Sequence, residues 1–438
     1  MERRYKRGSS RSAGGTSMGS DHTPPQDPRE KVKDCCRKII AFMCTQVGVG
    51  ALVFGYTLVG AVSFMHIEKG GENVKLKEVT KLRGVYSHKL YQVAEMCNIF
   101  EKRFGFNMTN KYLPTIIRLL KVHGFEDRYN DIVYCRPLKV TQQNHASMSV
   151  FFGGDVQDFT ENMQSHRDNK NYLKWNLENT AILLRSHFPD SHIIVIKPSR
   201  MEFKTFSCYK NFVKCNSCGV PEHSENYNSL MHLQKLLDNI CDQLKSMSDD
   251  DIEAAEELSR NALVDLEESS LYTTKENEVS LKDNKEVAGY ERTTVNFENL
   301  DLRLIGFSKG CVVLNQFLHE LNHYSVTMSA LEKPDSMSRI KDMYWLDGGH
   351  NGGKNTWITA KALLATLAIL KIRVHVHVSP YQIKDERRPW IGKEEKSFTE
   401  TAKDVGVTIL RTVHFEDLPP TLNVHFDILK VFANSCSS

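Results

Sequence analysis

A mostly parallel sheet with helices on both faces is the fold the sequence predicts for residues 111–438, with one membrane-spanning helix before it. Three observations predict it. Short apolar runs alternate with helically spaced segments through the body, the pattern of strand–helix–strand units. A serine flanked by glycines, Gly306-Phe307-Ser308-Lys309-Gly310, joins an apolar strand to a helix. Further acidic residues and histidines then fall at the ends of the later strands.

In chain order, "NDIVYCRPL" reads as an early strand, and Met148–Phe152 as an apolar strand ending in Gly153-Gly154-Asp155. "WNLENTAILLRSHFP" has helical spacing at Leu177, Ala181, Leu183 and Leu184, and stops before Pro189. "SHIIVIKPSRM" is a short buried strand. "SLMHLQKLLDNICDQLKSM" is an amphipathic helix with Leu230, Leu233, Leu237 and Ile240 on one face. Between Asp249 and Glu298 fifteen acidic residues stand against five basic ones, so a mobile insertion is expected over 249–298. Leu302–Ile305 restores the strand pattern. Cys311, Leu314, Leu318 and Leu321 then repeat at helical spacing. "MYWLDGGH", "IRVHVHVSPYQIKD" and "VTILRTVHF" supply three more strands, and a last helix opens just after His425.

Composition narrows the function classes. The 57 basic and 54 acidic residues leave a net charge of +3, and no stripe of Lys, Arg and aromatic residues appears, so no nucleic-acid partner is expected. Eleven cysteines without regular spacing suit a reduced interior better than a disulfide framework. Cys215-Asn216-Ser217-Cys218, with Cys208 and His223 near, lacks a second cysteine pair, so no metal is expected, and no cofactor either. Residues 1–36 read as a disordered basic tail. Residues 37–68 carry no charge between Lys38 and Glu68, more than the ~20 apolar residues that cross a bilayer. A single-pass membrane attachment through residues 39–67 is therefore expected, with residues 69–110 as a linker.

The strand–turn–helix setting makes Ser308 a candidate nucleophile on the sharp elbow of an α/β-hydrolase. The helix behind it offers amide donors and positive potential. The chain order serine, acid, histidine fits that fold. His425, between the last strand and last helix, is the first choice of base, and His414 the second. Asp385, after the penultimate strand, is slightly preferred as the acid over Asp347, which sits between a strand end and Gly348-Gly349. The backbone amides of Lys309, Gly154 and Asp155 are expected to form the oxyanion hole. Asp347 and His350 could instead satisfy backbone groups in a glycine-rich turn. His375 and His377 read as one polar face of a strand.

"FFGGDVQDF", "FSCYKNFV", "LIGFSKGCVVLNQ", "YWLDGGHNGG", "SPYQIKD", "WIGKE" and a late "HF" resemble the chromosome 2 open reading frame 69 family from about residue 111 to the last helix. The resemblance implies an α/β-hydrolase-like mitochondrial protein linked to respiratory-chain function, without an assigned substrate. It leaves two readings. One is a serine hydrolase acting on a small ester, thioester or amide. The other is a hydrolase-fold protein that works by binding a mitochondrial partner. Residues 37–109, by contrast, resemble the first membrane helix and cap of two-pore-domain potassium channels, through "CTQVGVGALVFGYTLVGAVSFMHIE" and "YSHKLYQVAEMCNIFEKRFGFNMT". That likeness implies a membrane fragment of the secretory route, a third and lower-ranked reading.

Overall fold

The computed structural model describes residues 112–138, 147–216, 219–268, 290–327 and 333–433. All belong to the second of two units into which the chain divides, Asn107–Ser438. The tail, spanning helix and linker expected over residues 1–110 lie outside the described residues. Among the described residues, no helix is long and apolar enough to cross a membrane.

Eight strands form one sheet: β1 (Ile116–His123), β2 (Tyr129–Cys135), β3 (Ser147–Phe152), β4 (Ser191–Ile196), β9 (Asp301–Phe307), β10 (Ile340–Leu346), β11 (Arg373–Val378) and β12 (Ile409–Val413). Two small hairpins, β5–β6 (Arg200–Glu202, Phe206–Cys208) and β7–β8 (Lys214–Cys215, Pro221–Glu222), stand apart. The order across the large sheet is β1-β2-β4-β3-β9-β10-β11-β12. Only β2 runs against its neighbours; from β4 to β12 every pairing is parallel.

Parallel strands covered on both faces need apolar side chains on both sides, so they read as continuous runs rather than alternations. β4 is buried at every position, and β3 at all but its first. Alternate residues of β3 nevertheless serve different cores. Val150 and Phe152 join Leu233, Leu237, Phe317 and Leu321 on one face. Phe151 joins Ala181, Ile305, Phe307 and Phe426 on the other. The helices that pack on these two faces are α1 (Leu177–His187), α2 (Ser229–Ser246), α4 (Cys311–Thr327) and α7 (Leu422–Val431), with α5 (Lys361–Ile369) and α6 (Trp390–Asp404) between the last two.

Local chemistry fixes the helix starts. The Asn176 side chain accepts from the Asn179 N–H at 2.7 Å, capping α1. The α2 N-terminus is capped from outside: the Glu320 carboxylate of α4 accepts from the Ser229 and Leu230 amides at 2.8 Å each. Helix dipole and carboxylate reinforce one another there.

Two departures from expectation have physical causes. The acidic segment expected to be mobile from residue 249 opens instead with a helix, α3 (Asp249–Glu268). Its anchor is Ser259, whose Oγ accepts from the Ile116 N–H at 2.8 Å and donates to the Ile116 carbonyl at 3.0 Å. Three aspartates in its first turn suit the positive end of the helix dipole. β1 went unread because "IIRLLKVH" has no clean alternation; the strand bulges between Leu119 and Val122, where Lys121 takes a φ of 52°.

Candidate active site

β9 ends at Phe307 and the chain turns sharply at Ser308, whose φ of 52° lies in the left-handed region. The turn needs both flanking glycines. A Cβ on Gly306 would lie 2.9 Å from the Cα of Cys311, and one on Gly310 only 2.0 Å from the Phe152 carbonyl oxygen. The loop after β3 closes over the serine from the other side, since a Cβ on Gly154 would meet the Ser308 Cβ at 2.7 Å. Positive φ at a serine costs about 1–3 kcal/mol. It holds the hydroxyl up at the carboxyl edge of the sheet, at the start of α4.

His425 lies in the first turn of α7, slightly inside the helix that the sequence started after it. Thr421 caps that helix, accepting from the Val424 N–H at 3.3 Å. The imidazole is fixed on three sides. Its Nδ1 is 2.8 Å from Asp347 Oδ2, and its ring stacks on Phe307 and on Tyr381 at 4.6 Å each. Asp347 follows β10 with a φ of 46° and is fully buried. Its carboxylate accepts from the Ser379 N–H at 2.6 Å and the Ser379 hydroxyl at 2.5 Å. Its own N–H donates to the His377 carbonyl at 2.8 Å. Three donors thus meet this buried carboxylate, with histidine as one of them, as burial of a charge requires.

The structure therefore joins Asp347, not Asp385, to the histidine. The site directly after β11 belongs to Ser379, whose two donors both go to Asp347. Asp385 comes later, past the short helix Pro380–Ile383, and pairs with Arg388 Nε at 2.7 Å and the Arg387 N–H at 2.8 Å. His414 is also displaced from the role of base: its Nε2 is 2.9 Å from His377 Nδ1. His377, on the polar face of β11 that the sequence indicates, is fully buried, stacked over Tyr344 with His375 beyond it.

The amides expected around the oxyanion divide. The Gly154 N–H is already taken by Gln157 Oε1 at 2.9 Å. Gln157 is itself held through Nε2 by the Trp175 carbonyl and the Thr180 hydroxyl. Gly154 thus serves close approach, not donation. Among the described residues, the amides of Lys309 and Asp155 have no protein acceptor. The Asp155 carboxylate accepts from the Ser207 N–H at 2.8 Å and hydroxyl at 2.9 Å. Burial pushes its pKa up, while Ser207 and the Lys309 charge oppose the rise.

Ser308 and His425 line one cavity of about 680 Å³. Lys309, Asp155, Tyr381, Arg388 and Trp390 contribute to it, and Phe203 and Phe206 of the β5–β6 hairpin stand exposed at its edge. His350 also faces it. Its Nδ1 accepts from the Gly352 N–H at 2.9 Å, and its Nε2 lies 3.2 Å from the Asn355 carbonyl. Burial pulls its pKa down to about 4, so it is a neutral residue of the glycine-rich turn. Ser379, Tyr381 and Arg388 were missed as site residues. The segment "SPYQIKD" carried the first two, but nothing in it says that a serine would replace the expected acid. Among the described residues no cluster of His, Cys, Asp or Glu could hold a metal; Cys218 lies outside them.

An eight-stranded sheet in this order, with one antiparallel strand and a serine elbow after β9, is the α/β-hydrolase fold. Serine, aspartate and histidine follow in the chain order of that fold. Within this class, the chain belongs to the C2orf69 family, whose profile matches residues 118–408. It is 38% identical over 299 residues to the mitochondrial protein C2orf69 homolog of Mus musculus, covering 66% of this chain and 78% of that one. It is 35% identical to the Danio rerio homolog over 331 residues, 72% and 85% of the two chains. Mitochondrial protein C2orf69 of Homo sapiens is 38% identical over 65% of this chain and 73% of its own. Solved structures with partial likeness include the esterase Est22, 12% identical with a TM-score of 0.32 over 84% of this chain and 92% of that one. A thermostable esterase is 10% identical, with a TM-score of 0.31 over 68% and 54%. The fold assignment rests on strand order rather than on these distant overlaps.

Proposed function

We propose that this chain is a mitochondrial serine hydrolase that cleaves a small ester, thioester or amide. The observation that carries the reading is the joining of His425 to buried Asp347 beside a serine held at positive φ in the same cavity. The Asp347 contact at Nδ1 leaves His425 Nε2 as the ring nitrogen for proton transfer. Ser308 Oγ would bond to the substrate carbonyl carbon while its proton passes to Nε2. The amides of Lys309 and Asp155 would hold the oxyanion. Nε2 then returns the proton to the departing group as its bond to the carbonyl breaks. Water, deprotonated by the same histidine, releases the acyl group as an acid and restores Ser308.

The mitochondrial location rests on the names of the relatives, and the respiratory-chain link on the family resemblance. The test is labelling of the full-length chain with an alkyl fluorophosphonate. Labelling that disappears in Ser308→Ala supports an activated serine. A folded wild-type chain that stays unlabelled defeats the hydrolase reading and turns the search toward protein partners.

A further inference from the structure

The cavity beside Ser308 is lined by two cationic side chains, Lys309 and Arg388, that acyl chemistry alone does not need. The oxyanion hole would use only the backbone amide of Lys309, yet its side chain is buried and also lines the cavity. The Nζ donates to the Gly219 carbonyl at 2.8 Å and contacts Asn351 Oδ1 at 3.4 Å. Both acceptors are neutral. An ammonium has three donors, so one is left without a protein acceptor among the described residues, and no carboxylate there lies within ion-pair distance.

Burying a charge without a counter-charge is unfavourable unless something else supplies one. Two carboxylates share the cavity wall, but the Asp155 Oδ1 is engaged by both donors of Ser207 and Glu202 pairs with Arg200, and neither is ion-paired to Lys309. A second cation stands on the same wall. Arg388 is tied to Asp385 through Nε and to Gln382 Oε1 at 3.3 Å through Nη2, which leaves other guanidinium donors for the cavity. His350 feels both cations: after burial, the Lys309 and Arg388 charges hold its proton affinity down, so it stays neutral beside them. Lys309 thus has no ion-pair partner among the described residues, and Arg388 keeps donors beyond those that Asp385 and Gln382 take up.

We propose that Lys309 and Arg388 form an anion subsite beside Ser308, selecting a substrate that carries a carboxylate or phosphate close to the carbonyl that is attacked. This deepens the hydrolase reading and rests on it for the reaction, though not for binding. Aspartate 385 then acts as the residue that orients Arg388, which explains its ion pair.

Two measurements separate the subsite from the chemistry. The first compares kcat/KM of the full-length chain for the 4-nitrophenyl monoester of glutaric acid and for 4-nitrophenyl valerate, equal in acyl length. The expected preference for the charged ester is about tenfold, as one modest ion pair supplies. It should vanish in Lys309→Met, weaken in Arg388→Gln and partly survive in Lys309→Arg. A wild type that prefers valerate, or a preference that persists in both charge-removing variants, overturns the proposal. The second measures monomethyl glutarate and methyl phosphate binding to Ser308→Ala by calorimetry, with dimethyl glutarate as the neutral control. Binding of either anion that is lost when Lys309→Met is added supports the subsite even if neither ester is hydrolysed, a result that would defeat only the hydrolase reading. Equal binding of anion and neutral control defeats the subsite whatever the hydrolysis shows.

Discussion

The turns after β10 and β11 carry an aspartate each, and their surroundings differ in every respect that matters to a histidine. Asp347 follows β10 directly, is fully buried, and receives Ser379 and His425 on its two oxygens. Asp385 sits beyond a short helix, partly exposed, and neutralises a neighbouring arginine. The turn after β11 still takes part, but through a serine that donates to the aspartate across the sheet. An acid role therefore depends on which carboxylate the fold buries and surrounds with donors. Position along the chain does not decide it.

The sharpest way to break this comparison is to neutralise each aspartate in turn. Asp347→Asn should slow ester hydrolysis by up to about ten-thousandfold, because an amide in place of the carboxylate favours the wrong imidazole tautomer. Asp385→Asn should leave hydrolysis of a neutral ester within about threefold, the scale of an exposed ion pair. Similar losses in both variants would erase the distinction. The elbow itself can be broken sterically. Gly310→Ala places a Cβ against the Phe152 carbonyl, with no flexible atom to move aside, and should lower unfolding stability by about 3–5 kcal/mol in urea titrations. An unchanged midpoint would mean the turn is looser than described. Ser379→Ala sharpens the account of Asp347 by removing one of its three donors while keeping the backbone N–H. The expected loss in kcat is about tenfold, with KM for a neutral ester little changed.

A last effect concerns histidines that lack such a carboxylate. His192 and His350 are both pulled down by burial from 6.5 to about 4. Between those values the unfolded chain binds protons that the folded chain refuses, so stability falls as pH drops from 6.5 toward 4. Each such histidine removes at most about 1.4 kcal/mol per pH unit. Urea midpoints at pH 7.5 and pH 5 check the sign: the midpoint should be lower at pH 5, and a higher one would contradict the burial of these rings.

Much of this was legible in the sequence for physical reasons. Steric demand writes glycines into an elbow, so Gly306 and Gly310 around Ser308 could be recognised without coordinates. Strands buried on both faces give continuous apolar runs, so β3, β4, β9, β10 and β11 stood out. His425 was readable because it falls in the first turn of the last helix, close to where the last strand hands over to it. The choice of acid was not, since donors such as Ser379 lie far away in sequence and reach Asp347 only through strand order. Nor was the use of the Gly154 amide, which depends on how one buried glutamine side chain points. The helix Asp249–Glu268 was hidden by its acidic composition, because its anchor is one of its own serines, Ser259, bonded to the Ile116 backbone on a strand more than a hundred residues earlier.

The central claim is that Ser308, His425 and Asp347 act as one unit. Its most direct test is the rate of fluorophosphonate labelling of the full-length chain, beside Ser308→Ala, His425→Ala, Asp347→Asn and Asp385→Asn. The account predicts labelling that is absent in Ser308→Ala, strongly slowed in His425→Ala and Asp347→Asn, and near wild type in Asp385→Asn. An unlabelled wild type, or a slowing in Asp385→Asn that Asp347→Asn does not share, would contradict it.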